Sequence, residues 1–201
     1  PDHAQAYHNL SSVHERQRRV EDAVRAERQA IRHDPDNREF WKFLTFLYSQ
    51  APRMPGDDAL MNDFRAILAS DDLSIRPISI PAYELILSLP QTRSLITLAE
   101  NSNQEFLIKD WLSQEVLESL TEPIILSYLA KGRILEFGLE HVFTNARRAI
   151  FLGFGETQHG TDIPGAAIDV LIAIAEQCFY NEYVFFVSDE ETQALNRLEN
   201  K

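Results

Sequence analysis

The apolar pattern between residues 168 and 187, IDVLIAIAEQCFYNEYVFFV, constrains the fold more than any other part of the chain. Apolar residues recur in it every three or four positions, which is the spacing of one face of an α-helix and predicts that this face is buried. They are Ile168, Leu171, Ile172, Ala175 and Phe179. A chain of 201 residues with only seven glycines is also a poor candidate for an all-β or collagen-like fold. The sequence therefore predicts an all-α protein.

Further helices are predicted by apolar periodicity and by residues that start helices. Asp57 is placed to cap one helix, and Thr121 is placed to cap another. A glycine-rich segment at 153–165 contains GFGETQHG, which we interpret as a surface loop because no strand precedes it to form a phosphate-binding turn. The longest helical pattern covers 134–151, and its apolar stripe is Leu135, Leu139, Val142, Phe143, Ala146 and Ile150.

The first 50 residues follow a repeat of large and small side chains. When Ala4 is counted as position 1, positions 4, 7, 20, 27 and 32 hold Tyr7, Leu10, Ala23, Ala30 and Pro35. A second unit that starts at Arg38 places Trp41, Leu44 and Tyr48 at positions 4, 7 and 11. This segment resembles tetratricopeptide repeats, in which the small residues let two helices of a hairpin approach and the large ones fill the gap between hairpins.

The repeat pattern ends at Gln50, where APRMPG predicts a turn or linker. We therefore divide the chain into the end of a tetratricopeptide repeat array, residues 1–50, and an all-helical intermediate domain, residues 51–201. The array comprises one full repeat and the first helix of the next, and further repeats are expected upstream because about three are needed for stability. The predicted architecture is a set of tetratricopeptide-type hairpins packed on an irregular bundle of short helices.

The formal net charge of −12 is carried by the second part of the chain. Residues 1–50 contain eight basic and eight acidic side chains, and the other 151 residues contain 11 and 23. Such a field repels phosphate backbones, so we expect no nucleic acid partner. We expect no membrane partner either, because three acidic residues interrupt the most apolar window, 163–187. The single cysteine, Cys178, excludes an internal disulfide and fits a reducing, cytoplasmic location.

No residue pattern predicts a catalytic or metal-binding centre. The six histidines are scattered without the spacing of metal ligands, and no recognisable base accompanies Cys178, which we interpret as an inert thiol of the core. The most informative candidates are polar residues that stand among aromatic ones, namely Gln177, Asn181, Glu182 and Tyr183. Buried carboxylates are usually paired with arginine, and Arg147 and Arg148 are the natural partners. These polar residues and the two arginines indicate either an interhelical salt bridge or a recognition surface.

Two segments of the chain carry a resemblance to a known family. LEHVFTNARRAI at 139–150 and IAEQCFYNEYVFFVSDEE at 174–191 resemble the helical region that precedes the catalytic domain in bacterial tetratricopeptide-repeat methyltransferases, and QCFYNEYVF is the specific part. The resemblance implies a full-length enzyme that uses S-adenosylmethionine in a downstream Rossmann-like domain. The glycine-rich motif of such a domain does not occur in these 201 residues, so no cofactor is expected in this chain.

The resemblance implies a non-catalytic role for this chain, in which the repeats bind a protein or peptide and the acidic body positions the downstream methyltransferase domain. The concave face of such an array is lined by the first helix of each hairpin, and the residues expected to contact the partner are His8, Ser12, Glu15, Lys42 and Phe46. Two alternatives stay open. The chain is a free-standing adaptor or scaffold for another transferase or complex, or the helical body is itself an enzyme with a pocket around Arg147, Asn181, Glu182 and Tyr183.

Overall fold

The computed structural model describes residues 2–50, 58–132, 137–155, 163–181 and 187–199. Within these ranges every regular element is a helix and no strand occurs, so the prediction of an all-α protein is confirmed. A single 3-10 turn, Arg76–Ile78, precedes the fifth helix. The α-helices are α1 (Asp2–Arg16), α2 (Val20–His33), α3 (Arg38–Gln50), α4 (Asp58–Ala69), α5 (Ser79–Ser88), α6 (Pro90–Ser102), α7 (Ile108–Trp111), α8 (Gln114–Leu120), α9 (Pro123–Lys131), α10 (Phe137–Gly155), α11 (Gly165–Asn181) and α12 (Asp189–Glu199).

The chain forms two compact units, Pro1–Leu85 and Ile86–Lys201. The boundary predicted after Gln50 marks the end of a repeat pattern, and it lies inside the first unit. The first unit continues beyond the repeats because α4 is bonded to the helices before it through Asp63, as described below.

In the first unit, α1 and α2 pack together across a tight turn in which Arg18 adopts a positive φ of 59°. Their close approach depends on small residues, because Ala23 and Ala30 on α2 are fully buried. Ser11 also contributes, since its hydroxyl donates a 2.8 Å hydrogen bond to the Ala23 carbonyl oxygen. A backbone acceptor thus satisfies a polar side chain that is fully buried between the two helices.

A polar triad joins α2, α3 and α4, in which Tyr48 is buried and the side chains of Arg28 and Asp63 are 16% and 15% exposed. Arg28 Nε donates to Asp63 Oδ2 at 2.6 Å, and the Tyr48 hydroxyl donates to the same oxygen at 2.5 Å. Arg28 also donates to the Tyr48 hydroxyl oxygen at 3.1 Å. Burial raises the pKa of Tyr48, and the neighbouring Asp63 carboxylate raises it further. The tyrosine therefore stays neutral and acts as a donor that links the three helices.

In the second unit, α10 is the central helix and packs against α6, α7, α11 and α12, while α11 packs mainly against α9. The predicted stripe of α10 is confirmed where the structure describes it, because each of its five described residues is at least 99% buried. These residues are Leu139, Val142, Phe143, Ala146 and Ile150. The predicted Leu135 lies outside the described residues.

The end of α10 corrects the prediction of a loop over 153–165. The helix continues to Gly155, and residues 156–162 lie outside the described residues. Gly153 serves packing instead of a turn: a Cβ atom there would lie 2.5 Å from Leu112 Cδ1 and 3.3 Å from Ile108 Cγ2. The missing side chain therefore lets α7 and the residue after it lie directly against α10.

The predicted cap of α9 is also corrected. Glu122, rather than Thr121, is the N-cap, and its Oε2 accepts hydrogen bonds from Ile124 N at 2.8 Å and Ile125 N at 3.3 Å. The Thr121 hydroxyl instead donates to the Leu117 carbonyl oxygen at the end of α8. Pro123 occupies the first helical position, where its lack of an N–H costs nothing.

The largest correction concerns α11, which buries a different face from the predicted one. Its buried residues are Ala167, Val170, Ala173, Ile174 and Gln177. Three of the five residues predicted to be buried are large side chains that lie exposed, at 43% for Ile168, 53% for Ile172 and 79% for Phe179. Of the other two, Ala175 is exposed and Leu171 is half-buried. The reason is that α11 has two apolar stripes, and α9 packs with the one that contains the small residues.

Candidate functional site

The predicted partner-binding residues lie on α1 and α3, and His8 is the one most tightly held. Its Nδ1 lies 2.8 Å from Oε1 and 3.1 Å from Oε2 of Glu27 on α2. Its ring centroid lies 5.0 Å from that of Phe40 and 5.1 Å from that of Phe43, both on α3. His8 therefore links three helices, so a structural role accompanies any role in binding.

The carboxyl group of Glu27 is fully buried behind this histidine. Burial raises the pKa of Glu27, because the ionised form loses its hydration, while the hydrogen bond with His8 acts in the opposite direction. The His8 side chain retains 22% exposure. The partly exposed His8 ring therefore lies between the buried Glu27 carboxyl group and the surface of α1.

The α3 part of the predicted face is aromatic and charged. Phe46 is exposed, and its ring stacks on Phe43 with centroids 5.8 Å apart and an interplanar angle of 27°. Lys42 is exposed beside them, and its Nζ lies 2.7 Å from Glu39 Oε1. Phe43 was not among the predicted residues, although it stands one residue after Lys42 and three before Phe46. Its ring joins the α1 and α3 parts of the face, because it contacts both His8 and Phe46.

Ser12 and Glu15 complete the predicted set, and both are half-buried on α1. They stand four and seven residues after His8, which places the three on one face of that helix. The structure thus brings His8 and Phe46 together through Phe43. It places Ser12 and Glu15 on the same side of α1 as His8.

Several arginines of the first unit form ion pairs with nearby acidic residues. Arg19 and Arg25 both pair with the Asp22 carboxylate on α2, and Arg28 pairs with Asp63. Pairing of this kind is typical of a helix surface with alternating charge. These arginines are therefore bonded within the unit instead of forming an unbroken basic stripe.

The second candidate group is centred on Arg147 of α10. Its side chain and that of Glu191 are both buried, and Arg147 Nε and Nη2 lie 3.1 and 2.9 Å from Glu191 Oε1. The ion pair joins α10 to α12 across 44 residues of sequence. A charged pair at this depth is stable only when its remaining polar atoms are also bonded.

Glu191 meets that condition through the start of α12. Its Oε2 accepts the Ser188 backbone N–H at 2.9 Å, and its own N–H donates to Ser188 Oγ at 3.3 Å. These two reciprocal bonds form a capping box. This box is not among the predicted features, although SDEE at 188–191, a serine followed three residues later by glutamate, is its sequence signal.

The side chain of Arg148 is more exposed than that of Arg147. Its Nη2 donates to Glu190 Oε2 at 3.0 Å, and its guanidinium carbon lies 4.4 Å above the ring centroid of Phe106. A guanidinium over an aromatic face gains from the negative charge of the ring face. Both predicted arginines thus bind neighbouring acids of α12.

The other residues of the predicted group are only partly described. Gln177 is fully buried on α11, and Cys178 is a half-buried free thiol, more exposed than the core thiol predicted. Asn181 is the last residue of α11. Glu182 and Tyr183 lie outside the described residues, so the predicted pairing of Glu182 with these arginines stays a prediction.

Among the described residues, no cluster of three or more histidine, cysteine, aspartate or glutamate side chains is placed to hold a metal ion. None of the helices in the described ranges is both long and apolar enough to cross a membrane.

Comparison of the chain with family models, with curated proteins and with solved structures finds no match in any of the three. The family resemblance, the cofactor of the longer protein and the partner therefore stay predictions.

Proposed function

We propose that this chain is the non-catalytic, protein-binding and domain-positioning region of a bacterial tetratricopeptide-repeat methyltransferase. In this proposal the first unit recruits a protein partner or substrate. The second unit positions a downstream catalytic domain that uses S-adenosylmethionine and is absent from these 201 residues. A cytoplasmic location belongs to the same proposal.

Tetratricopeptide-type packing is supported by the burial of the repeat positions. Ala23 and Ala30, at positions 20 and 27, are fully buried between α1 and α2. In the second repeat, which begins at Arg38, Leu44 and Tyr48 at positions 7 and 11 are also buried. Small residues inside a hairpin and large residues between hairpins are what such an array requires.

The expectation of upstream repeats is supported by one difference between the two repeats in residues 1–50. Leu44, at position 7 of the second repeat, is fully buried, whereas Leu10, at position 7 of the first repeat, is 44% exposed. Ala6 and Val13 are exposed on the same side of α1, because they stand four residues before and three after Leu10. A hairpin that precedes α1 would cover this apolar stripe, just as the hairpin of α1 and α2 packs against α3, the first helix of the second repeat.

The observation that carries the recruitment role is the aromatic face described above. Phe43 and Phe46 stack on the accessible side of α3, next to Lys42 and to the partly exposed His8. Accessible aromatic rings with charged groups at their edge are typical of interaction surfaces. A segment with apolar side chains and a carboxylate for Lys42 suits this face.

Calorimetric titration of S-adenosylmethionine tests the proposal. The cofactor is added to this chain and, separately, to the full product of the gene that encodes it. We expect binding to the longer protein alone. Binding by neither protein would refute the methyltransferase assignment and favour the alternative of a free-standing adaptor, which the aromatic face supports equally well.

The enzyme alternative is tested by the same titration and by one variant. Binding of the cofactor to the 201-residue chain would favour a site within it. Glu182→Ala then separates the two interpretations of the polar group: loss of folding indicates a structural ion pair, whereas a folded variant that no longer binds the cofactor indicates a site. The buried pair of Arg147 with Glu191 supports a structural role for Arg147 itself.

A further inference from the structure

The exposed face of α11, in the second unit, is an apolar stripe. Its four residues, Ile168, Ile172, Ala175 and Phe179, stand at intervals of four, three and four, which aligns them along one side of a helix. Ile172 and Phe179 are more than half exposed. Isolated exposed apolar residues are ordinary, but an aligned row on one helix is typical of an interaction site.

One edge of this stripe is acidic. Asp169 and Glu176 are both exposed and stand seven residues apart, so they lie on the same side of α11, next to the apolar row. The sequence of α11, GAAIDVLIAIAEQCFYN, contains no lysine, arginine or histidine. The other edge is formed by Leu171 and Cys178, which are half-buried.

This pattern of charge distinguishes between possible occupants. Anionic lipid and nucleic acid are repelled by the two carboxylates and by the net charge of −12. A second copy bound with its α11 antiparallel to the first brings acidic edges close together without any basic side chain of α11 to compensate them, which costs free energy. A helix with apolar residues on one face and basic residues along one edge satisfies both parts of the surface.

We propose that the stripe formed by Ile168, Ile172, Ala175 and Phe179 docks an amphipathic helix of a partner protein that carries lysine or arginine along one edge. The apolar row receives the apolar anchors of that helix, and Asp169 and Glu176 pair with its basic edge. This is helix-on-helix recognition with apolar anchors three and four residues apart. The proposal does not depend on whether the longer protein is a methyltransferase.

Fluorescence anisotropy with a designed peptide tests the proposal. The probe is a labelled amphipathic helix of roughly 18 residues, about five turns, with leucines on one face and lysines along one edge. A matched peptide carries glutamate in place of each lysine. We expect the lysine peptide to bind, the glutamate peptide not to bind, and the affinity of the lysine peptide to fall as salt is added.

Two variants locate the binding to α11, and a third serves as a matched control. Ile172→Ser should weaken binding at least about tenfold, because burying an isoleucine side chain contributes more than the ~1.4 kcal/mol that this factor requires. Ile80→Ser alters an equally apolar residue that is 64% exposed on α5, and it should leave binding unchanged. The double variant Asp169→Lys and Glu176→Lys should lose the lysine peptide and gain the glutamate peptide.

The circular dichroism spectrum of each variant checks that it is folded, as expected for exposed positions. Equal weakening by Ile172→Ser and Ile80→Ser would overturn the proposal, and so would failure of the lysine peptide to bind. Two other results would identify a different occupant and overturn it as well. These are dimerisation of the wild-type chain that Ile172→Ser abolishes in sedimentation, and binding of anionic phospholipid vesicles that depends on Ile172.

Discussion

Replacing Glu191 with alanine tests how strongly its ion pair with Arg147 holds α12 against α10. Both side chains are buried. Removing one partner of a buried ion pair costs about 3–5 kcal/mol, because the remaining charge stays in an environment of low polarity. Alanine also removes the oxygen that accepts the Ser188 N–H, and a lost cap costs about 0.5–2 kcal/mol. We expect the free energy of unfolding of the second unit to fall by about 4 kcal/mol or more.

Two further variants separate the contributions. Glu191→Gln keeps a side chain that can complete a capping box, so it removes the charge alone and should cost about 3 kcal/mol. Glu190→Ala removes the neighbouring acid, which is 67% exposed where it pairs with Arg148. Exposed pairs contribute less than about 1 kcal/mol, so this variant should remain close to the wild type.

Urea denaturation followed by tryptophan fluorescence measures these changes in the correct unit. The chain has two tryptophans, Trp41 in the first unit and the buried Trp111 in the second. In a Trp41→Phe background the signal reports the second unit alone, and extrapolation to zero urea gives the free energy of unfolding. Equal losses for Glu191→Ala and Glu190→Ala would refute the reasoning. Recovery of most of the loss by the double variant Arg147→Met and Glu191→Leu would support it, since both buried charges are then gone.

Two further predictions concern Glu27 and the cap of α9. Burial raises the pKa of the Glu27 carboxyl above its ordinary value of 4.5, so its protonated form contributes stability that is complete below pH 4.5 and is lost as the pH rises through the raised value. The thermal stability of the wild type relative to Glu27→Gln should therefore decline as the pH is raised above 4.5, and a constant difference would contradict this. Glu122→Ala should lower the free energy of unfolding by about 0.5–2 kcal/mol in urea titrations, because its carboxylate accepts two N–H groups of α9. A larger loss for Thr121→Ala would show that the cap is assigned wrongly.

Most of the helices could be predicted from the sequence, although α12 and the last turn of α10 were not, and the capping residues could be predicted only in part. The stripe of α10 was predicted because a single row of large apolar residues defines one face. Thr121 and Glu122 compete for the cap of α9, and Pro123 decides between them, since a proline at the first helical position makes the preceding residue the cap. The capping box at Ser188 and Glu191 is likewise visible in the sequence. Its contact with Arg147 is not, because that contact joins residues 44 positions apart.

Helix α11 shows why apolar periodicity alone does not determine which face of a helix is buried. Its sequence contains two rows with helical spacing, and the predicted row is the one with the larger side chains. The row that α9 covers includes Ala167 and Ala173, whose small size lets another helix approach closely, and it also includes the fully buried Gln177. Close approach of two backbones buries area on both helices at once, so small residues can define the buried face even when larger ones are available. The larger residues then remain on the surface, where α11 offers them to a partner.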